Sequence, residues 1–165
     1  MMEWIKQIVR ALILVLLQVL LFNHLHIASW GFPMVYILIL INMPTQMPKW
    51  VDMLIGFAIG CVMDMWSNTL GVNIAACVAI SYLRPIILRN TMQDAERIKG
   101  EVRSSNIGIG EYMKCLVILT LTHHFLVFSL ETWNFAHWWI ILLQTLLSSI
   151  MTITILIGYD RLRRN

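Results

Sequence analysis

Two adjacent histidines, His123 and His124, lie inside an apolar run, with Thr120 four residues before His124 and Glu131 seven after it. Steps of four and seven return to nearly the same helical face, so the run presents a polar stripe Thr120–His124–Glu131. Histidine and carboxylate inside a membrane are the ingredients of a proton relay or a metal site. The rise from His124 to Glu131 is ~10 Å, too long for shared ligation without a third group. Histidines hydrogen-bonded across helices are the reading this spacing favours.

A second constellation starts at Gly56, which is followed at steps of four by Gly60 and Asp64. Small residues at that spacing let another backbone approach, which is how helices pack in lipid. The seam serves packing within the chain or a partner helix, and internal packing is the preferred reading. Asp64 is followed by Ser67, Asn68, Thr69, Gly71 and Asn73, a tight polar corner whose side chains suit helix ends. A carboxylate there ties a hairpin together more readily than it moves a proton. Arg84-Pro85 comes further on. Pro85 removes a backbone donor and crowds the carbonyl of Ser81, so a kink is expected, and Arg84 is expected to snorkel to the nearby membrane face. Asp64 and Arg84 stand near opposite faces and cannot pair if their helices are regular.

Familiar catalytic patterns are missing: there is no G-x-S-x-G, no H-E-x-x-H and no P-loop. Cys61, Cys77 and Cys115 fall in apolar runs without a CxxC, and read as small buried hydrophobes rather than zinc ligands. No cofactor is implied.

The elements that must position these residues follow from composition. Of 165 residues, 59% are hydrophobic and only 13% charged, against ~45–50% and ~25% in an ordinary soluble domain. That excludes disorder and a soluble core, and argues for an all-α integral membrane protein with one domain over 1–165. Six stretches approach the ~20 apolar residues of a spanning helix: 4–22, 27–43, 50–66, 71–88, 112–130 and 136–159, with a loop at 89–111. If the first residue is cytoplasmic, all 12 Lys and Arg fall on the cytoplasmic side, so both termini are expected inside. The net charge of +3 is too mild to suggest a nucleic-acid partner. The run after Lys6 and Arg10 is long for a signal peptide and lacks an A-x-A site, which favours an uncleaved first helix. Trp4, Trp30, Trp50, Trp66, Trp133, Trp138 and Trp139 all sit near span ends, as an interfacial belt does. Thr91–Arg103 alternates acids and bases as a surface helix would, and the following SSNIGIG should break it. This loop is read as a solvated connector.

The order of these motifs resembles the MreD family of rod-shape-determining membrane proteins. The resemblance rests on the Gly56–Gly60–Asp64 entry, the Ser67-Asn68-Thr69-Leu70-Gly71-Val72-Asn73 corner and the Leu83-Arg84-Pro85 exit. Phe22–His26, Gly108-Ile109-Gly110 and the span with His123, His124 and Glu131 extend it over nearly the full length. It implies a fold similar to the membrane-embedded substrate-binding subunits of vitamin transporters. It also implies a scaffold role in the elongation machinery that builds lateral wall peptidoglycan, in the bacterial inner membrane. The partners so implied are an MreC-like single-span protein and, indirectly, a RodA-type glycosyltransferase, a class B penicillin-binding protein and MreB filaments. The family carries no established catalytic residue. A transporter subunit that binds a small ligand from the outer side is the alternative. An enzyme acting on lipid-linked precursors is disfavoured by the missing acid–base set.

Overall fold

The computed structural model describes residues 2–22, 31–92, 100–132 and 138–164. Most of these residues are helical, and among them there is no strand beyond an isolated bridge between Pro44 and Glu101. In chain order the helices are α1 (Met2–Leu20), α2 (Ile37–Ile41), α3 (Lys49–Ser67), α4 (Val72–Thr91), α5 (Ser104–Ile107), α6 (Ile109–Thr132) and α7 (Trp138–Arg164). Four of them, α3, α4, α6 and α7, are long and apolar enough to cross a membrane, while the apolar part of α1, Gln7–Leu20, is shorter. The chain is a helical membrane protein in this sense.

The expected spans 4–22, 50–66, 71–88, 112–130 and 136–159 overlap α1, α3, α4, α6 and α7. The stretch 27–43 does not become a spanning helix. Residues 31–36 are irregular, and only Ile37–Ile41 forms a helix. Pro33 supplies the reason. It has no N–H to give a helix and forces the preceding Phe32 towards extended backbone. Residues 27–30 and the turn motif Asn23–His26 lie outside the described residues, as do Trp30 and Trp133.

The tightest pairing is the α3–α4 hairpin. Asn68 (φ 54°) and Gly71 (φ 84°) adopt left-handed backbone and turn the chain within four residues. The helices then run so close that side chains are excluded. A Cβ on Gly60 would lie 2.5 Å from the Ile74 Cα and 2.9 Å from the Asn73 carbonyl oxygen. A Cβ on Gly56 would strike Ser81 Oγ and come within 2.9 Å of the Cys77 carbonyl oxygen. The small-residue face is therefore filled by α4 of the same chain, leaving no room for a partner helix there. Helix α4 continues through Pro85 to Thr91.

The hairpin's far end corrects the reading of Arg84. Its side chain does not snorkel but turns inward, 2% exposed, with Nη1 3.2 Å from Asp52 Oδ2. Nε donates to the Ile41 carbonyl at 3.1 Å and Nη2 to the Met43 carbonyl. Carbonyls at and beyond the end of α2 have no intrahelical donor and carry its negative dipole end, so a guanidinium is drawn there.

Residues 100–108 also depart from a solvated connector. Gly100–Arg103 is not helical, the SSNI of the supposed breaker forms the helical turn α5, and Val102 and Ser104 are buried. The remainder of the expected surface helix, 93–99, lies outside the described residues. Glu101 straps this segment to both ends of the chain. Its carboxylate accepts from Gln7 Nε2 at 3.0 Å and Arg10 Nη1 at 3.1 Å in α1, and from Arg163 Nη2 at 2.8 Å in α7. Burial pushes the Glu101 carboxyl up, but these donors and the Arg163 and Arg10 charges outweigh it and hold it below the ordinary value of 4.5. Ser104 Oγ donates to Asp160. The segment brings Arg103 to the end of the bundle that carries Lys49 and Arg89, where α3 and α6 begin and α4 and α7 finish, which is thus a basic end.

Candidate functional site

The irregular segment Gly31–Tyr36 runs through the interior, where its backbone groups have no helix to satisfy them. In lipid, such backbone survives only when it is enclosed by protein that supplies the missing hydrogen bonds. Here two helices do so, and two more hold the side chain of Tyr36. From α1, Gln18 Nε2 donates to the Pro33 carbonyl at 3.0 Å, and Gln18 Oε1 accepts from the Val35 N–H at 2.7 Å. From α7, Thr152 Oγ1 accepts from the Met34 N–H at 3.0 Å and Ser148 Oγ from the Phe32 N–H at 3.2 Å. From α4 and α6, Asn73 and His123 hold the Tyr36 hydroxyl.

The proton positions in this chain can be deduced from its far end. Asp64 is an acceptor. It takes the N–H groups of Asn73 and Ile74, each at 3.0 Å, and the hydroxyl of Thr69. These two backbone donors belong to the first turn of α4, so Asp64 of α3 caps the next helix in place of Gly71, which has no side chain to do it. The Asn73 amide nitrogen donates to Asp64 Oδ1 at 3.0 Å and to Thr69 Oγ1 at 3.1 Å. Its oxygen must then face Tyr36, whose hydroxyl donates to it at 2.8 Å. With that proton used, His123 Nε2, 3.2 Å from the same hydroxyl, has to be the donor. His123 is thus the Nε2–H tautomer, and its Nδ1 is a buried acceptor without a partner.

His124 is engaged on both nitrogens. Nδ1 donates to the Thr120 carbonyl at 2.9 Å, one turn back, and Nε2 faces Thr152 Oγ1 at 3.1 Å. Thr152 also reaches the Ser148 carbonyl at 2.8 Å, so its one proton has two acceptors. Both histidines are fully buried, with their rings edge-to-face at 5.7 Å. The structure does not bring Glu131 into this cluster. It is exposed two turns further along α6, and Thr120 enters through its carbonyl while its hydroxyl is unsatisfied.

Glu131 instead borders a cavity of about 460 Å³ at the end of the bundle opposite the basic end. Thr69 and Asn73 line it on the α3–α4 corner side, Trp66 and Phe32 contribute aromatic rings, and Met34 lies in its wall. Asn73 thus touches both the cavity and the buried chain Asp64–Asn73–Tyr36–His123. Among the described residues no group of three or more His, Cys, Asp or Glu is arranged to hold a metal ion. Cys77 and Cys115 are buried free thiols.

Several residues of this arrangement escape a reading of the sequence. Asp52 has a signal in hindsight: it precedes Asp64 by the same three helical steps that bring Asn73 to within one residue of Arg84, so an antiparallel hairpin must oppose them. Gln18, Tyr36, Ser148 and Thr152 have only the weaker signal of polar groups within apolar runs. Comparison of the chain with protein-family models, with curated proteins and with solved structures finds no match.

Proposed function

We propose that this chain is a non-catalytic membrane scaffold of the MreD type. In this reading it lies in a bacterial inner membrane with both termini and the 89–111 loop cytoplasmic. It pairs with an MreC-like protein and through it with a RodA-type glycosyltransferase and a class B penicillin-binding protein. The observation that carries the reading is how the interior polar groups are used. Gln18, His124, Ser148 and Thr152 hold backbone in place, and Asp64 caps a helix. A proton relay needs titratable groups that reach water, and both histidines are sealed.

The test is His124→Gln. Glutamine can donate to the Thr120 carbonyl and accept from Thr152, but it does not titrate near neutral pH. Stable protein, retained cell width and retained co-purification with the MreC-like partner are expected, with weakened assembly in His124→Leu. Complete loss of function in a normally assembled His124→Gln variant would overturn the scaffold reading in favour of proton-linked transport.

The 460 Å³ cavity favours a second reading, a transporter subunit that binds a small molecule between Trp66, Asn73 and Glu131. Identification of small molecules retained on the purified protein, and their loss in Asn73→Leu, tests it.

A further inference from the structure

The 460 Å³ cavity carries one carboxylate, Glu131, and nothing in its wall to balance it. Among the described lining residues there is no Lys, Arg or His. Glu131 forms no hydrogen bond or ion pair with a described residue. The helix ends add to the negative field. Helices α1, α3 and α6 finish here, with Leu20, Ser67 and Glu131 in the lining. The free carbonyls of a helix C-terminus carry negative partial charge and favour a cation. Among the described residues one helix, α4, begins in the lining. Its first-turn N–H groups, on Asn73 and Ile74, are already given to the Asp64 carboxylate. The one positive helix end is therefore offset, by a second carboxylate just behind the wall.

The wall also selects the kind of cation. A bare calcium ion takes ~6–8 oxygen ligands, and no group of three or more His, Cys, Asp or Glu is gathered among the described residues. The hydroxyl of Thr69 and the amide of Asn73 are spent on Asp64, on each other and on Tyr36. A primary ammonium, with three N–H donors to satisfy, is undersupplied with acceptors. A fully alkylated ammonium has no donor to satisfy and is held by countercharge and aromatic faces. Trp66 and Phe32 supply the rings, and Phe32 is fixed edge-to-face on Phe128 at 5.8 Å. The volume falls within the ~300–1,000 Å³ of small-molecule sites.

We propose that this cavity binds an alkylated organic ammonium, with Glu131 as its countercharge and Trp66 and Phe32 against its alkyl groups. The proposal rests on the small-molecule reading of the cavity and adds the chemistry of the ligand.

The experiment uses the full chain purified in neutral detergent, with radiolabelled choline in equilibrium dialysis at constant ionic strength. The competitors are unlabelled choline, its uncharged carbon isostere 3,3-dimethylbutan-1-ol, and sodium ion. One choline per chain is expected, with at least tenfold weaker displacement by the isostere and none by sodium. Glu131→Gln removes the charge from an exposed side chain without a partner, so the fold is kept, and choline binding should fall at least tenfold. Trp66→Leu should weaken choline several-fold and leave the isostere nearly unchanged. Unaltered choline binding in Glu131→Gln would overturn the proposal, as would full displacement by sodium. Equal binding of the isostere would overturn the cation and leave the cavity a small-molecule site. No binding of choline or of the isostere would overturn the proposal, while the small-molecule reading still answers to the molecules retained on the purified protein.

Discussion

Arg84 and Asp52 meet at 3.2 Å across the open end of the α3–α4 hairpin, with side chains 2% and 7% exposed. At the closed end of the same hairpin, Asp64 caps the first turn of α4. Between the two, Gly60 and Gly56 bring the backbones together. Polar closure at both ends and close packing between them make this hairpin the frame on which the irregular segment 31–36 is held.

Removing one partner of a buried pair leaves the other charge without compensation and costs about 3–5 kcal/mol. Arg84→Met should fall in that range, because it strands Asp52 and also frees the carbonyls of Ile41 and Met43. Asp52→Asn should cost less, and the double variant Asp52→Asn/Arg84→Met should be more stable than Arg84→Met alone. Thermal unfolding of the purified variants in detergent checks the order. A double variant no better than the single one would show that the carbonyls, not the ion pair, dominate.

Gly60→Ala should destabilise more than Gly56→Ala. At Gly60 the new methyl meets the backbone of Ile74 and Asn73, which cannot rotate away, and overpacking costs about 1–3 kcal/mol. At Gly56 the first obstacle is a hydroxyl, so Ser81→Ala should partly rescue Gly56→Ala and leave Gly60→Ala unrescued. The quantity to measure is the yield of folded protein from membranes together with its Tm.

Gln18→Leu removes the partner of the Pro33 carbonyl and of the Val35 N–H. Each buried group left unsatisfied costs about 1–3 kcal/mol. Hydrogen exchange should accelerate in 31–36 before it does in α6. Uniform acceleration throughout the chain would mean that Gln18 supports the whole bundle rather than this segment.

The Glu101 strap should depend on pH in one direction only. Its carboxyl is held below 4.5 in the folded protein, so its contribution is present above that value and is lost as pH falls through the lower folded value. Acidification below about pH 4.5 should lower the Tm of the native chain more than that of Glu101→Gln, which starts less stable at neutral pH. Parallel curves for the two proteins would remove Glu101 as the titrating link between 100–107 and α1.

The sequence by itself determined the membrane class, the places of α1, α3, α4, α6 and α7, and the hairpin corner. Apolar length marks helices, and a Gly-x-x-x-Gly face beside a polar turn is a local pattern with a local meaning. Tertiary structure alone decided the rest, because the deciding partners are far apart along the chain. The broken segment at 31–36 was foreshadowed by Pro33, yet its survival depends on Gln18, Ser148 and Thr152 from two other helices. Arg84 had a membrane face within reach by its position on α4, and only the placement of Asp52 and the end of α2 beside it turned it inward. The His124–Glu131 stripe lay on one face by periodicity, but α7 took His124 while Glu131 faced a cavity. A helical period specifies the direction a side chain points, and the neighbours packed against that face specify what it meets.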